Sequence, residues 1–204
     1  MKTKVLNLHA GLGGNRLHWK DVEVTAVDLN KEVLEVYKEY NPNDKIVLAD
    51  AKQYLKENYR KFNFVWASPS CQSHSKMMKA TRHDVADYPD MSLYQIIYFL
   101  EHFFKGNWVV ENVVPYYKPL ITPKIRVGRH LFWSNKELFG IQDVKRPHGF
   151  INKSNLKGKK EMMDWLGIHF ENNIYVRGNH CPVQVLRNCV HPDLGLQVFN
   201  AAKS

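Results

Sequence analysis

Short apolar runs alternate with helically spaced segments over the first two-thirds of the chain. Residues 5–8 are apolar and too few for a helix, so they read as a strand. The same reasoning predicts strands over 22–27, 45–48, 62–67 and 107–110, and a sixth over 129–134. Between them, residues 31–40 place Val33, Leu34 and Tyr37 on one helical face and stop before Asn41-Pro42-Asn43. Residues 51–59 predict a second helix, 92–104 an amphipathic third capped by Ser92, and 192–202 a closing one. Residues 69–91 are polar and loop-like, and a connection of that length inside a compact domain is usually functional or disordered. Residues 140–180 lose the alternation and become basic and irregular.

Strand–helix alternation predicts an α/β fold: a mostly parallel sheet with helices on both faces. Ligands of such sheets sit beyond the C-terminal strand ends. The polar features of this chain gather there. They are the turn His9-Ala10-Gly11-Leu12-Gly13-Gly14-Asn15, Asp28, Asp50, the loop Pro69-Ser70-Cys71-Gln72, and Glu111.

Each has two readings. The glycines allow a sharp turn and close approach of a ligand, or only the turn. A dinucleotide fingerprint would need a third glycine where Arg16 stands. Asp28 is placed to accept from a ribose or to cap the helix over 31–40, with Asn30 a competing cap. Asp50 is placed to accept from an exocyclic amine or to cap the helix over 51–59. Together these suit a nucleoside ligand without a phosphate chain, such as S-adenosylmethionine. Cys71 is a nucleophile or a small buried residue. Glu111 ends a very apolar strand, where an acid is either salt-bridged or has a raised pKa. Arg129 neutralises a phosphate, orients a base carbonyl or makes a surface ion pair. The stretch Asn188-Cys189-Val190-His191-Pro192 reads as a helix entry.

Composition narrows the setting. The 204 residues suffice for one domain with a full core, or for a domain with a small appendage. No apolar stretch is long enough to span a bilayer and no signal-peptide core is visible, so no membrane partner is expected. Three cysteines without a CxxC pair predict a reducing compartment, no disulfide framework and no zinc site. The net charge of +9 points to a polyanion partner. Lys145, Arg146, His148, Lys153, Lys157, Lys159 and Lys160 stand together without a carboxylate, which suits phosphate contacts.

In this order, the motifs resemble those of the DNA (cytosine-5) methyltransferase family, over nearly the whole chain outside residues 140–180. His9-Ala10-Gly11-Leu12-Gly13-Gly14 is similar to the family's F-A-G-x-G-G turn, with His9 in place of Phe. Ser70-Cys71-Gln72 resembles its P-C-Q motif, with Ser70 replacing the proline and Pro69 one place earlier. Glu111-Asn112-Val113 matches its E-N-V motif in full. Arg129 resembles the second arginine of its Q-x-R-x-R motif; Val127 stands at the first, with Arg126 nearby. Arg187-Asn188-Cys189-Val190 resembles its late G-N-[SA]-V motif.

The resemblance implies a Rossmann-like methyltransferase fold with a small basic recognition appendage. It implies a catalytic core over 1–139, a short target-recognition segment over 140–180, and a return to the core over 181–204. S-adenosylmethionine would be the methyl donor and S-adenosylhomocysteine the product. His9, Ala10, Gly11, Leu12, Gly13, Gly14, Asp28, Leu29, Asp50, Ala51, Pro69, Asn188 and Cys189 would hold it. Cys71 would attack a flipped-out cytosine, with Glu111, Asn112 and Arg129 around the base. Gln72, Ser73, Ser75, Lys76, Lys79, Lys145, Arg146, Lys153, Lys157, Lys159 and Lys160 would meet double-stranded DNA. The expected protein is a cytoplasmic monomer of a prokaryotic or phage-infected cell. Rival readings are an RNA cytosine-5 methyltransferase, an inactive nucleic-acid-binding module of the same fold and, weakest, a nicotinamide oxidoreductase.

Overall fold

The structure is a computed structural model that describes residues 2–75, 88–147, 156–176 and 181–204. Seven strands form one sheet: β1 (Thr3–Leu8), β2 (Val22–Asp28), β3 (Lys45–Leu48), β4 (Phe64–Ala67), β5 (Asn107–Val113), β6 (Ile125–Val127) and β7 (His130–Ser134). Their order is β3-β2-β1-β4-β5-β7-β6. The first five pair in parallel, and β7 runs antiparallel to both β5 and β6. Among the described residues, six α-helices accompany them: α1 (Lys31–Tyr40), α2 (Ala51–Asn58), α3 (Ser92–Phe103), α4 (Leu156–Leu166), α5 (Gln184–Arg187) and α6 (Pro192–Lys203).

Period-two alternation divides the core between the two sheet faces. Leu6, Leu8, Val65, Val110 and Trp133 face α2 and α3, meeting Leu55, Leu93, Ile97 and Leu100. Val5, Val24, Phe64, Trp66, Val109 and Phe132 face the other way, onto Leu194, Val198 and Phe199 of α6. Burying such a side chain contributes about 1.5–3 kcal/mol, so both faces are needed. The chain reverses direction around β1, with β2 and β3 on one side and β4 and β5 on the other. That is the switch point at which open α/β sheets hold ligands.

Four local expectations change. Ser92 is the first residue of α3, not its cap, and its N–H donates to Asp90 Oδ1 at 2.9 Å. β5 runs on to Val113, so Glu111 lies inside the strand rather than past its end. β6 is an additional edge strand, joined to β7 by the two-residue turn Gly128-Arg129 with Gly128 at a φ of +56°. Residues 140–180 contain α4, whose Met162 and Leu166 join Leu12, Val33, Val36 and Leu186 in one buried cluster. The described part of that segment therefore packs on α1 and the glycine turn.

Arg16, where a dinucleotide fingerprint would have glycine, has a structural task. Its Nε and Nη2 donate to both oxygens of Asp44 at 2.9 and 3.0 Å, and Tyr37 Oη donates to the same carboxylate at 2.7 Å. The Asp44 side chain is 4% exposed. Asp44→Ala leaves Arg16 without its partner in a nearly closed site. A loss of about 3–5 kcal/mol in urea unfolding is expected, because an unpaired buried charge costs far more than the pair contributes.

Candidate active site

The glycine turn is built by its backbone. His9, Gly11 and Gly13 have φ values of +53°, +54° and +80°. A Cβ on Gly13 would stand 2.6 Å from the Tyr37 ring, and one on Gly14 would stand 2.5 Å from Val190 O. Gly13 thus packs beneath the turn, on α1. Gly11 has open space where its side chain would be.

Beyond the turn opens a cleft of about 1120 Å³. Of the predicted donor-binding residues, it is lined by His9, Ala10, Gly11, Leu12, Gly14, Asp28, Leu29, Asp50, Ala51, Pro69, Asn188 and Cys189. Asp28 Oδ2 accepts from Gly11 N and its Oδ1 from Asn30 N, both at 3.0 Å. Asn30, not Asp28, caps α1. Asp28 keeps lone pairs for a ligand, since a carboxylate has about four acceptor sites. Asp50 caps α2 through Oδ1, which accepts from Gln53 N at 2.8 Å. His9 Nδ1 is enclosed and has no hydrogen-bond partner among the described residues. Burial lowers the His9 pKa below its ordinary value, so the ring is neutral at working pH. An enclosed ring nitrogen, open acceptors and an unfilled Gly11 fit a polar nucleoside ligand.

Residues that local sequence patterns did not single out also line this cleft: Lys52, Asp90, Tyr175 and Val176. The last two come from the basic segment, and no local signal marks them. They arrive because Ile174 packs into the α1–α4 cluster.

Beside the cleft, the Cys71 turn meets the end of the sheet. Cys71 is half-buried, and its Sγ lies 3.9 Å from Asn188 Oδ1. His74 N and Ser75 N donate to Cys71 O at 3.1 and 3.0 Å. His74 itself is buried, with Nδ1 2.5 Å from Tyr117 Oη, and it anchors the turn to the segment after β5. Asn112 Nδ2 donates to Pro69 O at 3.0 Å, tying β5 to the same turn. Arg129, at the β6–β7 turn, donates from Nη2 to Arg187 O, while its Nε is enclosed without a partner among the described residues. Glu111 Oε1 is 2.6 Å from His130 Nδ1. His130 is a further residue that sequence patterns did not mark, although it adjoins Arg129.

These groups feel one another's charge. Burial, and then the Glu111 carboxylate, push the Cys71 thiol above its ordinary pKa, with Arg129 opposing. Burial lowers the Arg129 pKa, and Glu111 and Cys71 oppose that shift. Only the thiolate reacts with alkylating agents, so a raised pKa means slow alkylation at neutral pH. Glu111→Gln removes the second raising cause. Iodoacetamide labelling of Cys71 at pH 8, read by peptide mass spectrometry, is expected to be several-fold faster than in the wild type, and Arg129→Ala several-fold slower.

The proposed nucleic-acid contacts divide. Gln72 lines the cleft, and Ser73 Oγ accepts from Asp90 N at 2.9 Å, joining the two ends of the loop. Ser75 bridges to Pro115. Lys145 and Lys160 are exposed, and Arg146 is close enough to Arg129 to lower its pKa. Lys159 is a correction. It is 5% exposed, and its Nζ donates to Glu171 O, Asn172 O and Asn173 Oδ1. All three ammonium protons have acceptors inside the protein, so none is left for a phosphate. Lys76, Lys79, Lys153 and the Lys157 side chain lie outside the described residues. Among the described residues, no group of three or more His, Cys, Asp or Glu is placed to hold a metal ion, and no helix is long and apolar enough to cross a membrane.

The description "C-5 cytosine-specific DNA methylase" matches residues 3–117, more than half of the chain. The chain belongs to that family. Its sheet is accordingly that of the Rossmann-like methyltransferase fold, and the matched region takes in the glycine turn, Asp28, Asp50, Cys71 and Glu111. Among solved structures, the chain is similar to DNMT2 of Spodoptera frugiperda, at 27% identity and a TM-score of 0.42, over 55% of this chain and 36% of that one. It is also similar to the Entamoeba histolytica methyltransferase EhMeth, at 16% identity and a TM-score of 0.37, over 55% of this chain and 38% of that one. The chain thus covers little more than a third of either solved chain. No curated protein matches it.

Proposed function

We propose that this chain transfers a methyl group from S-adenosylmethionine to carbon 5 of a cytosine flipped out of DNA, through a covalent bond to Cys71. The observation that carries this reading is one cluster. Cys71, Glu111 and Arg129 are electrostatic neighbours, and the Cys71 turn borders the glycine-lined cleft.

Cytosine carbon 5 is not nucleophilic until a nucleophile adds at carbon 6, and a thiolate does this well. Cys71 attacks carbon 6. Glu111 binds ring nitrogen 3 and the exocyclic amine and donates a proton as the ring takes up electrons. Asn112 holds the nucleophile's turn through Pro69 O, and Arg129 binds the base carbonyl. When bound, S-adenosylmethionine supplies an electrophilic methyl group to carbon 5. His9, Gly11, Asp28, Asp50 and Asn188 hold it in the cleft. Loss of the carbon-5 proton expels Cys71 and restores the ring. The base must leave the stack first, at a cost of a few kcal/mol.

Target recognition falls to few residues. Lys145, Arg146 and Lys160 supply phosphate contacts, and a good base contact adds about 1–3 kcal/mol of discrimination. A segment of this size places few such contacts, so a target of about two or three base pairs and steeply salt-dependent binding are expected. Bisulfite sequencing of plasmid from expressing cells checks this; a strict target of about five base pairs or more contradicts it. Competition between duplex DNA and transfer RNA as acceptors of labelled methyl tests the substrate. Preference for transfer RNA would move the reading to RNA, and binding without any transfer would make the chain an inactive module.

A further inference from the structure

Glu111 has a buried partner that the proposed reaction does not yet use. Glu111 pairs across strands with Phe132, and Val113 pairs with His130. Glu111 and His130 are therefore diagonal neighbours on one face of the sheet, within reach of long side chains. His130 Nδ1 stands 2.6 Å from Glu111 Oε1, with the side chains 8% and 7% exposed. Both face the side of the sheet that holds Val109, Phe132 and α6, where water has little access.

Among the described residues, the groups that feel the Glu111 charge include Cys71 after β4, Arg129 at the β6–β7 turn and Cys189 before α6. Arg129 in turn feels Arg146. Arg129 keeps its protons at any working pH. Burial pushes the Cys189 thiol up to about 12, so it stays neutral. Cys71 is committed to carbon 6. Among the described residues, His130 is placed to pass a proton to Glu111 along a hydrogen bond already in place.

Resting on the cytosine reading above, we propose that His130 is a positioning residue for methyl transfer, sharing with Glu111 the one proton that Glu111 delivers to ring nitrogen 3. As the sulfur lone pair bonds to carbon 6, the carbon 5–carbon 6 π pair becomes a carbon 4–carbon 5 bond. The π pair between carbon 4 and nitrogen 3 moves onto nitrogen 3. Nitrogen 3 takes the shared proton through Glu111, leaving an ionised carboxylate beside a neutral imidazole. Carbon 5 gives its pair to the methyl group while nitrogen 3 re-forms its double bond to carbon 4; water then takes the carbon-5 proton, Cys71 leaves with its electron pair, nitrogen 3 returns its proton through Glu111, and the pair regains its starting state. No oxidant or reductant is needed.

His130→Gln keeps an N–H for Glu111 but cannot hand a proton over. Single-turnover methyl transfer to a cytosine duplex should be followed at saturating duplex in H2O and in D2O for the wild type, His130→Gln and His130→Asn. In both variants the transfer step is expected to slow about tenfold with a changed solvent isotope effect, while duplex affinity stays within about twofold. Variants that match the wild type, or that slow only in proportion to weakened duplex binding with an unchanged isotope effect, overturn the inference alone. A wild-type protein that neither methylates cytosine nor cross-links to a fluorinated cytosine duplex overturns both the inference and the reading beneath it.

Discussion

Cys71→Ala is expected to abolish methyl transfer, by at least about 1000-fold in labelled-donor assays, while the protein stays folded. The proposed covalent route has no substitute for the sulfur. Without addition at carbon 6, carbon 5 has no electrons to offer. The position is suited to so clean a loss. Cys71 is half-buried on a turn held by backbone bonds from His74 and Ser75 to its carbonyl, not by its own side chain. Removing Sγ forfeits a 3.9 Å contact to Asn188 and little packing, so the melting temperature is expected to change by only a few degrees. Cys71→Ser is expected to be equally inactive, because a serine hydroxyl at neutral pH is a far poorer nucleophile than a thiolate. A duplex carrying 5-fluorocytosine sharpens the test, since fluorine cannot leave as the carbon-5 proton does. The wild type is expected to form an adduct that survives denaturing electrophoresis, and both variants none. Transfer retained by either variant would end the assignment.

Glu111→Gln is expected to reduce the rate of methyl transfer by about 100- to 10,000-fold, the range for loss of a positioned proton donor. The substitution keeps the size of the side chain and a carbonyl oxygen to face His130. It therefore removes the proton without opening a cavity. Binding of duplex and of methyl donor should change by less than about threefold, placing the loss in the chemical step. The same variant is the one in which Cys71 should alkylate faster. Burial and the Glu111 charge together hold the thiol protonated, and the glutamine removes the charge. A variant that turns over more slowly while its nucleophile becomes more reactive separates the two roles of Glu111. Equal loss in duplex binding and in rate would instead mean that Glu111 serves only to hold the base.

Helices and parallel strands were readable from residue order because their signals are local. α1 begins and ends where the apolar spacing and Asn41-Pro42 say it should, and β3 matches its apolar run. The competition between Asp28 and Asn30 for the cap of α1 shows the limit. Either residue type can cap, and only folding shows Asn30 taking Val33 N while Asp28 takes Gly11 N and Asn30 N. β6 has three residues, too few to show a period. α4 carries Lys159, Lys160 and Glu161 among its apolar positions, and its stripe gains meaning only against Val33 and Val36. Lys159 looked like a phosphate ligand because composition counts charges without asking what surrounds them.

The residue order by itself determined the alternating α/β plan and the glycine turn, and it put forward Cys71, Glu111 and Arg129 as candidates. These depend on periodicity, on backbone freedom and on side-chain chemistry, all of which are properties of neighbours along the chain. Tertiary structure alone decided that His130 lies beside Glu111, that Tyr175 and Val176 wall the cleft and that Lys159 is occupied. Those outcomes follow from strand register and from burial against distant segments. A one-residue slip of β7 would turn His130 to the opposite face of the sheet, and nothing in its local sequence would record the difference.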